Sequence, residues 1–202
     1  MSSMRAPKSG LSRDTHQKIM NKYDQDDGSL CLEWLREIIL ENLYNGEYFE
    51  EIDLNGEAES FYRQLKDGYV LARLAKALLP NSVPDSKLRQ RPTLHFKQME
   101  LIEYFLIAAR DFGVSDQEVF QTCDLYERQN LHQVVVCLMA LARKCKDRGM
   151  TGFGPRESQA NVRRFSQEQL NAGKGFVSLQ MGSNAGANQS GLSFGKTRGI
   201  VD

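Results

Sequence analysis

The 202-residue sequence has no long hydrophobic run, no metal-type pairing of cysteines and only three histidines. Each shortage excludes something. The longest apolar stretch, "VVVCLMALA" at 134–142, is about half of the ~20 residues a bilayer-spanning helix requires. The opening "MSSMRAPKSG" has charges but no apolar segment behind them, so no secretory signal is expected. Cys31, Cys123, Cys137 and Cys145 show no CxxC spacing, and reduced thiols of a cytoplasmic protein are the expectation. His16, His95 and His132 have no histidine partner four residues away, so neither a metal nor a cofactor is expected.

A net charge of zero conceals an uneven distribution. Residues 143–202 carry 10 basic and 4 acidic side chains, a net of +6, against 16 and 22 in the preceding 142 residues, a net of −6. A basic last third on an acidic body points to a polyanionic partner. Nucleic acid is disfavoured, because the basic segments lack interleaved stacking aromatics and any reader motif.

What is present is helical periodicity. "SLCLEWLREIILENLY" spaces Leu32, Leu35, Ile38 (with Ile39) and Asn42/Leu43 at three- and four-residue steps, with Ser29 as the expected N-cap and Trp34 as a packing residue. "FYRQLKDGYVLARLAKALLP" keeps Leu65, Tyr69, Ala72 and Leu79 on one face and reads as one helix stopped by Pro80. "HFKQMELIEYFLIAARDFG" is apolar nearly all round, which predicts the centre of a bundle. "SDQE" at 115–118 has the form of a capping box. "NLHQVVVCLMALARKCK" predicts a last long helix, buried at its start and basic at its end, and "RRFSQEQLNAG" a further turn or two.

Several enzyme-like strings fail on their physics. "GLSFG" (191–195) fits a nucleophile elbow, yet only seven residues follow it and no later histidine exists. "GLSFGKT" is one residue short of a phosphate loop and has no room for the helix that must follow. "EIDLNGEAESFY" places Glu51, Asp53, Asn55 and Gly56 at calcium-loop positions, but Tyr62 stands where the bidentate Glu belongs. "YDQDDGSLCLEW" fails similarly, with Tyr23 first and Trp34 last. No catalytic constellation remains.

Five segments together resemble one family. "LKDGYVLARLAKALLP" (65–80), "FKQMELIEYFLIAARDFGV" (96–114) and "DLYERQNLHQVVVCLMALAR" (124–143) are similar to the calponin-homology domain. "RRFSQEQLNAG" (163–173) and "SLQMGSNAGANQSGL" (178–192) resemble the linker and single calponin-like repeat of transgelins. The resemblance implies an all-α fold, a compact calponin-homology helical bundle with a flexible, largely irregular C-terminal tail, and no enzymatic activity. The implied layout is a flexible arm at 1–14, the domain at 15–148, a linker at 149–174 and the repeat tail at 175–202.

It also implies binding, stabilising or cross-linking of actin filaments in the cytoskeleton. A different class of function is a cytosolic adaptor whose domain docks a signalling protein. Carried onto this sequence, the actin-binding residues are Lys144, Lys146 and Arg148 at the end of the last long helix. The repeat adds Ser178, Leu179, Gln180, Met181, Gly182, Ser183, Asn184, Gly186, Gln189, Gly191 and Leu192, and the basic linker adds Arg163, Arg164 and Lys174. Where the family's repeat reads GSNKGASQAG, this chain has Ala185 in place of the lysine. Ser178 and Ser183 are candidate phosphorylation sites, because about −1.5 to −2 charges there would oppose an acidic filament.

Overall fold

Asp24 opens the first long helix. Its carboxylate accepts hydrogen bonds from the backbone N–H groups of Asp26 (2.8 Å) and Asp27 (3.2 Å), which otherwise have no partner inside a helix. The expected cap, Ser29, lies instead one turn inside, where its hydroxyl accepts from the Gly56 N–H. An aspartate in the preceding "YDQDD" satisfies the orphan donors earlier, so the helix starts earlier.

The computed structural model describes residues 9–42, 52–156, 158 and 164–174, in two units, Met1–Ser158 and Gln159–Asp202. In the first unit the elements are α1 (Leu11–Met20), α2 (Gln25–Glu41), α3 (Ala58–Leu65), α4 (Tyr69–Leu78), α5 (Asp85–Leu88), α6 (His95–Asp111), α7 (Thr122–Tyr126) and α8 (Leu131–Asp147). The second unit contains α9 (Gln167–Lys174), where Ser166 and Gln169 exchange side-chain to backbone hydrogen bonds at 2.9 and 3.3 Å. The described residues form helices and turns, and no strand occurs among them. Helix α1 already begins at Leu11, inside the stretch expected to be a loose arm; residues 1–8 lie outside the described residues.

The core comes from Leu32, Leu35 and Ile38 of α2, Leu71 and Leu74 of α4, Ile102 and Phe105 of α6, and Val134, Leu138 and Leu141 of α8. Helix α4 packs against both α2 and α6, and α8 lies along α2. Phe105 stacks on Phe120 with ring centroids 5.9 Å apart. Trp34 is buried at 3% exposure, as its place in the apolar pattern predicts.

Three sequence expectations give way to tertiary packing. The run from Phe61 to Leu79 is two helices, not one, because Gly68 takes a left-handed conformation (φ +70°) between α3 and α4. A Cβ at Gly68 would lie 2.8 Å from the Ile102 nitrogen and 2.9 Å from the Gln98 carbonyl oxygen, so the corner touches the α6 backbone directly. Helix α6 buries only one face: Phe96 is 61% exposed, Met99 38% and Ile107 47%. The more enveloped helix is α8. The "SDQE" string opens no helix; Glu118 pairs with Arg143 at 2.6 Å, and α7 starts later, where the Asp124 carboxylate accepts from the Gln121 N–H at 2.7 Å.

The calcium-like string serves the fold. The Asp53 carboxylate accepts from the Asn55 N–H (3.0 Å) and the buried Ser60 hydroxyl (2.6 Å), and the Ser60 bond holds its carboxyl below the usual range. Tyr23 ties this turn to the start of α2 by donating to the Gly56 carbonyl at 2.7 Å.

Gly68→Ala is expected to be strongly destabilising. The left-handed backbone costs a non-glycine residue about 1–2 kcal/mol, and overpacking against α6 adds roughly 1–3 kcal/mol. Urea unfolding should show a lowered midpoint with an unchanged slope; a wild-type midpoint would show that α4 does not need this approach.

Burial pushes the Cys31, Cys137 and Cys145 thiols up to about 12 from 9.0. Between those values the unfolded chain loses protons that the folded chain keeps. The stabilisation from keeping these thiols protonated is complete below pH 9 and is lost as pH rises above it. Thermal midpoints should therefore fall from pH 8 to pH 10. Native alkylation should label the half-buried Cys123 first, and equal labelling of all four thiols would contradict this core.

Candidate functional site

The basic end of α8 is shaped by its termination. The Met150 N–H bonds back to the Cys145 carbonyl (2.9 Å) and the Gly149 N–H to that of Lys146 (3.1 Å), the paired pattern of a Schellman stop. Met150, the residue after the stop, packs on the core. The chain from Gly149 to Arg156 then returns as a strap over α8 and α2.

Five contacts fasten the strap. The Trp34 indole donates to the Thr151 carbonyl at 2.9 Å, and the Phe153 ring meets the indole edge-on with centroids 6.0 Å apart. The Thr151 hydroxyl donates to the Glu41 carboxylate (3.0 and 3.1 Å). The Lys146 ammonium donates to the Gly154 carbonyl at 2.7 Å. Gly152 passes so close to α8 that a Cβ would lie 2.8 Å from the Lys146 nitrogen, and closer still to the Ala142 carbonyl.

The predicted cations are thus partly committed to the fold. Lys146 is half-buried under the strap. Arg148 donates to the Phe112 carbonyl at 3.0 Å, with its guanidinium 3.9 Å above the Phe112 ring centroid. Lys144 is half-buried on the same last turn. Lys146 and Arg148 donate to carbonyls, and those bonds leave their positive charge uncancelled. The first unit therefore brings Lys144, Lys146 and Arg148 together on a rigid helix end.

The remaining site residues belong to the second unit or lie outside the described residues. In the second unit Arg164 is exposed just before α9 and Lys174 ends that helix. Arg163 and the whole strip Ser178, Leu179, Gln180, Met181, Gly182, Ser183, Asn184, Gly186, Gln189, Gly191 and Leu192 lie outside the described residues, as does Ala185.

Sequence reasoning missed a second basic surface. Lys87, Arg89, Arg91 and Lys97 line a cleft of ≈520 Å³ between α5 and the start of α6. The signal was "SKLRQRPTLHFK", four cations in twelve residues, obscured because acidic residues elsewhere make that part of the chain net negative.

With this geometry established, comparison with known proteins defines the class. The family model for the calponin homology (CH) domain matches residues 29–147, so the helical unit is a calponin-homology domain. The model for the calponin family repeat matches residues 177–200. Myophilin of Echinococcus granulosus is 36% identical over 199 residues, covering 97% of either chain. The chain belongs to the calponin family, in the one-domain, one-repeat layout of its transgelin-like members. A cytoskeletal, actin-binding role follows from that family, whose members are not known as enzymes.

Among solved structures, a Vav1 chain inhibited by an allosteric inhibitor is 23% identical with a TM-score of 0.51. The match covers 67% of this chain and 24% of that one, and it shows the fold alone. The calponin-homology domain of Rng2 from Schizosaccharomyces pombe is 22% identical with a TM-score of 0.47, covering 77% of this chain and 88% of that one. Among the described residues no helix is long and apolar enough to cross a membrane.

Trp34→Phe should keep most of the packing but remove the bond to Thr151, at about 0.5–1.5 kcal/mol. Limited proteolysis should then cut faster within 149–156. An unchanged cutting rate would mean that the strap is held without the indole.

Proposed function

We propose that this protein binds actin filaments and stabilises or cross-links them in the cytoplasm, through the basic α8 terminus and the calponin-like repeat acting together. The observation that supports this reading is one chain holding a calponin-homology domain and a calponin repeat, with the net +6 of residues 143–202 spanning the end of one and all of the other.

Energetics favour a composite surface. Exposed ion pairs bring only about 0.2–1 kcal/mol each. Six of them fall short of the roughly 8 kcal/mol behind micromolar binding. Apolar anchors in the tail, such as Leu179, Met181 and Leu192, add about 1.5–3 kcal/mol each when fully buried. Ordering free backbone costs ~1–2 kcal/mol per residue, which limits the contact to a short strip around Ser178–Leu192. Repetition along a filament then supplies avidity. Lys146 and Arg148 suit this scheme because their side chains are already held in place, so less entropy is lost on contact.

A chain ending at Ser158 retains the strap on Trp34 and the whole first unit. It should pellet with filaments several-fold less than the full chain while keeping its helical circular dichroism. Ala185→Lys in the full chain should strengthen pelleting by roughly 1.5- to fivefold at low salt, and less at high salt. Equal pelleting by the truncated and full chains would defeat the reading, and would shift attention to an adaptor role for the domain.

A further inference from the structure

The cleft between α5 and α6 is concave, polar and cationic. Its volume of ≈520 Å³ lies in the range of small-molecule sites and greatly exceeds a single phosphate. Four cations line it, Lys87, Arg89, Arg91 and Lys97, against one acid, Glu100. Glu100 is already engaged, accepting two hydrogen bonds from the Lys87 ammonium at 2.6 and 2.7 Å. Arg91 is anchored from outside by Asp67 at 2.8 Å and lies over the Tyr69 ring, with 39% of its side chain still exposed. Arg89 and Lys97 are exposed and make no ion pair among the described residues.

The wall adds backbone polarity of the same sign. Helix α6 has seventeen residues, no acid in its first turn and no side-chain cap at Leu94. Its first turn is flanked by Thr93 and Lys97, both in the cleft wall, so its positive end lies beside the four cations. The concave shape sets this surface apart from an ordinary solvated charge run: several phosphates on one small ring would meet several donors at once.

Two exposed apolar side chains are sequence neighbours of wall residues. Leu94 is 49% exposed and follows Thr93; Phe96 is 61% exposed and sits ~100° around the helix from Lys97. Exposed apolar groups beside a cationic cleft suit the boundary between headgroups and acyl chains, where rings and aliphatic chains enter while cations meet phosphate. A soluble anion gives these two residues nothing to bind.

We propose that this cleft is a binding site for the multiply phosphorylated headgroup of a membrane lipid, with Arg89, Arg91 and Lys97 contacting phosphates and Leu94 and Phe96 entering the bilayer interface. The cleft differs from the α8 terminus and the repeat in residues and in ligand, and it does not depend on filament binding.

The test uses the full chain in vesicle flotation. Phosphatidylcholine vesicles containing phosphatidylinositol bisphosphate should carry the protein, whereas vesicles matched in charge with phosphatidylserine should carry much less. Arg89→Ala with Lys97→Ala should weaken flotation roughly tenfold or more, with circular dichroism unchanged. Leu94→Ser with Phe96→Ser should abolish flotation while leaving titration with soluble inositol trisphosphate unaffected. Equal flotation on both anionic vesicles would overturn the proposal in favour of nonspecific charge. Binding of inositol trisphosphate without vesicle binding would overturn the membrane source, and no binding to either would overturn the site.

Discussion

The close approach of the Gly68 corner to the α6 backbone is the constraint on which much of the rest depends. A side chain there would meet main-chain atoms, which do not move aside as a flexible side chain does. Given that contact, Asp67 becomes a double anchor. One carboxylate oxygen accepts from the Tyr69 N–H at 3.0 Å and starts α4, while the other holds Arg91 at 2.8 Å. Tyr69, now fixed, donates to the Leu88 carbonyl at 3.1 Å and carries the Arg73 and Arg91 guanidiniums near its ring. The turn from Leu88 to Arg91 is therefore positioned by the same three residues, and with it the wall of the cationic cleft. The "DG" of the sequence is one tertiary device rather than two turn-formers.

At the other end of the domain, the cations of α8 are used twice. Lys146 and Arg148 each donate to a carbonyl, which fixes direction without neutralising charge. A carboxylate partner would fix the side chain and cancel its field, as Glu118 does for Arg143. The distinction matters for any acidic partner, because the terminus presents charge whose conformational entropy is already spent in folding. The strap supplies the carbonyl for Lys146, so Trp34, Phe153 and Thr151 act on the basic surface through the backbone that they hold.

The sequence was most legible where local physics dominates. Helix periodicity located α2, α6 and α8, and the apolar spacing around Trp34 identified it as core. It misled at the start of α2, where Ser29 was the expected N-cap and Asp24, five residues earlier, takes that role. It also misled where a distant backbone decided the outcome: periodicity continues smoothly through Lys66–Gly68, and only α6 makes the break necessary. The strap was invisible because its fastening joins residues 117 positions apart. For the site, Lys144, Lys146 and Arg148 were found by charge and family pattern, but their commitment to carbonyls is a tertiary fact. The cleft was missed because a count over most of the chain averages a local cluster with acids that pack elsewhere.

The two basic surfaces solve different recognition problems. Exposed charges at a helix end are each weakly coupled to a counterpart and screened by salt. In the proposed filament contact, such a surface would gain specificity from register along a repeating lattice, where many weak contacts recur. The cleft concentrates four cations in ≈520 Å³ around one acid that Lys87 already satisfies. Repulsion among those cations would favour a ligand of matching charge density in the proposed site, so its selectivity would come from compactness rather than length. That repulsion raises the free energy of the empty cleft, which the fold tolerates because Glu100 holds Lys87 within the lining and Asp67 holds Arg91 from outside it. The chain's zero net charge is thus the sum of two positive surfaces and an acidic remainder, and the acids that balance the cleft are also those that build it.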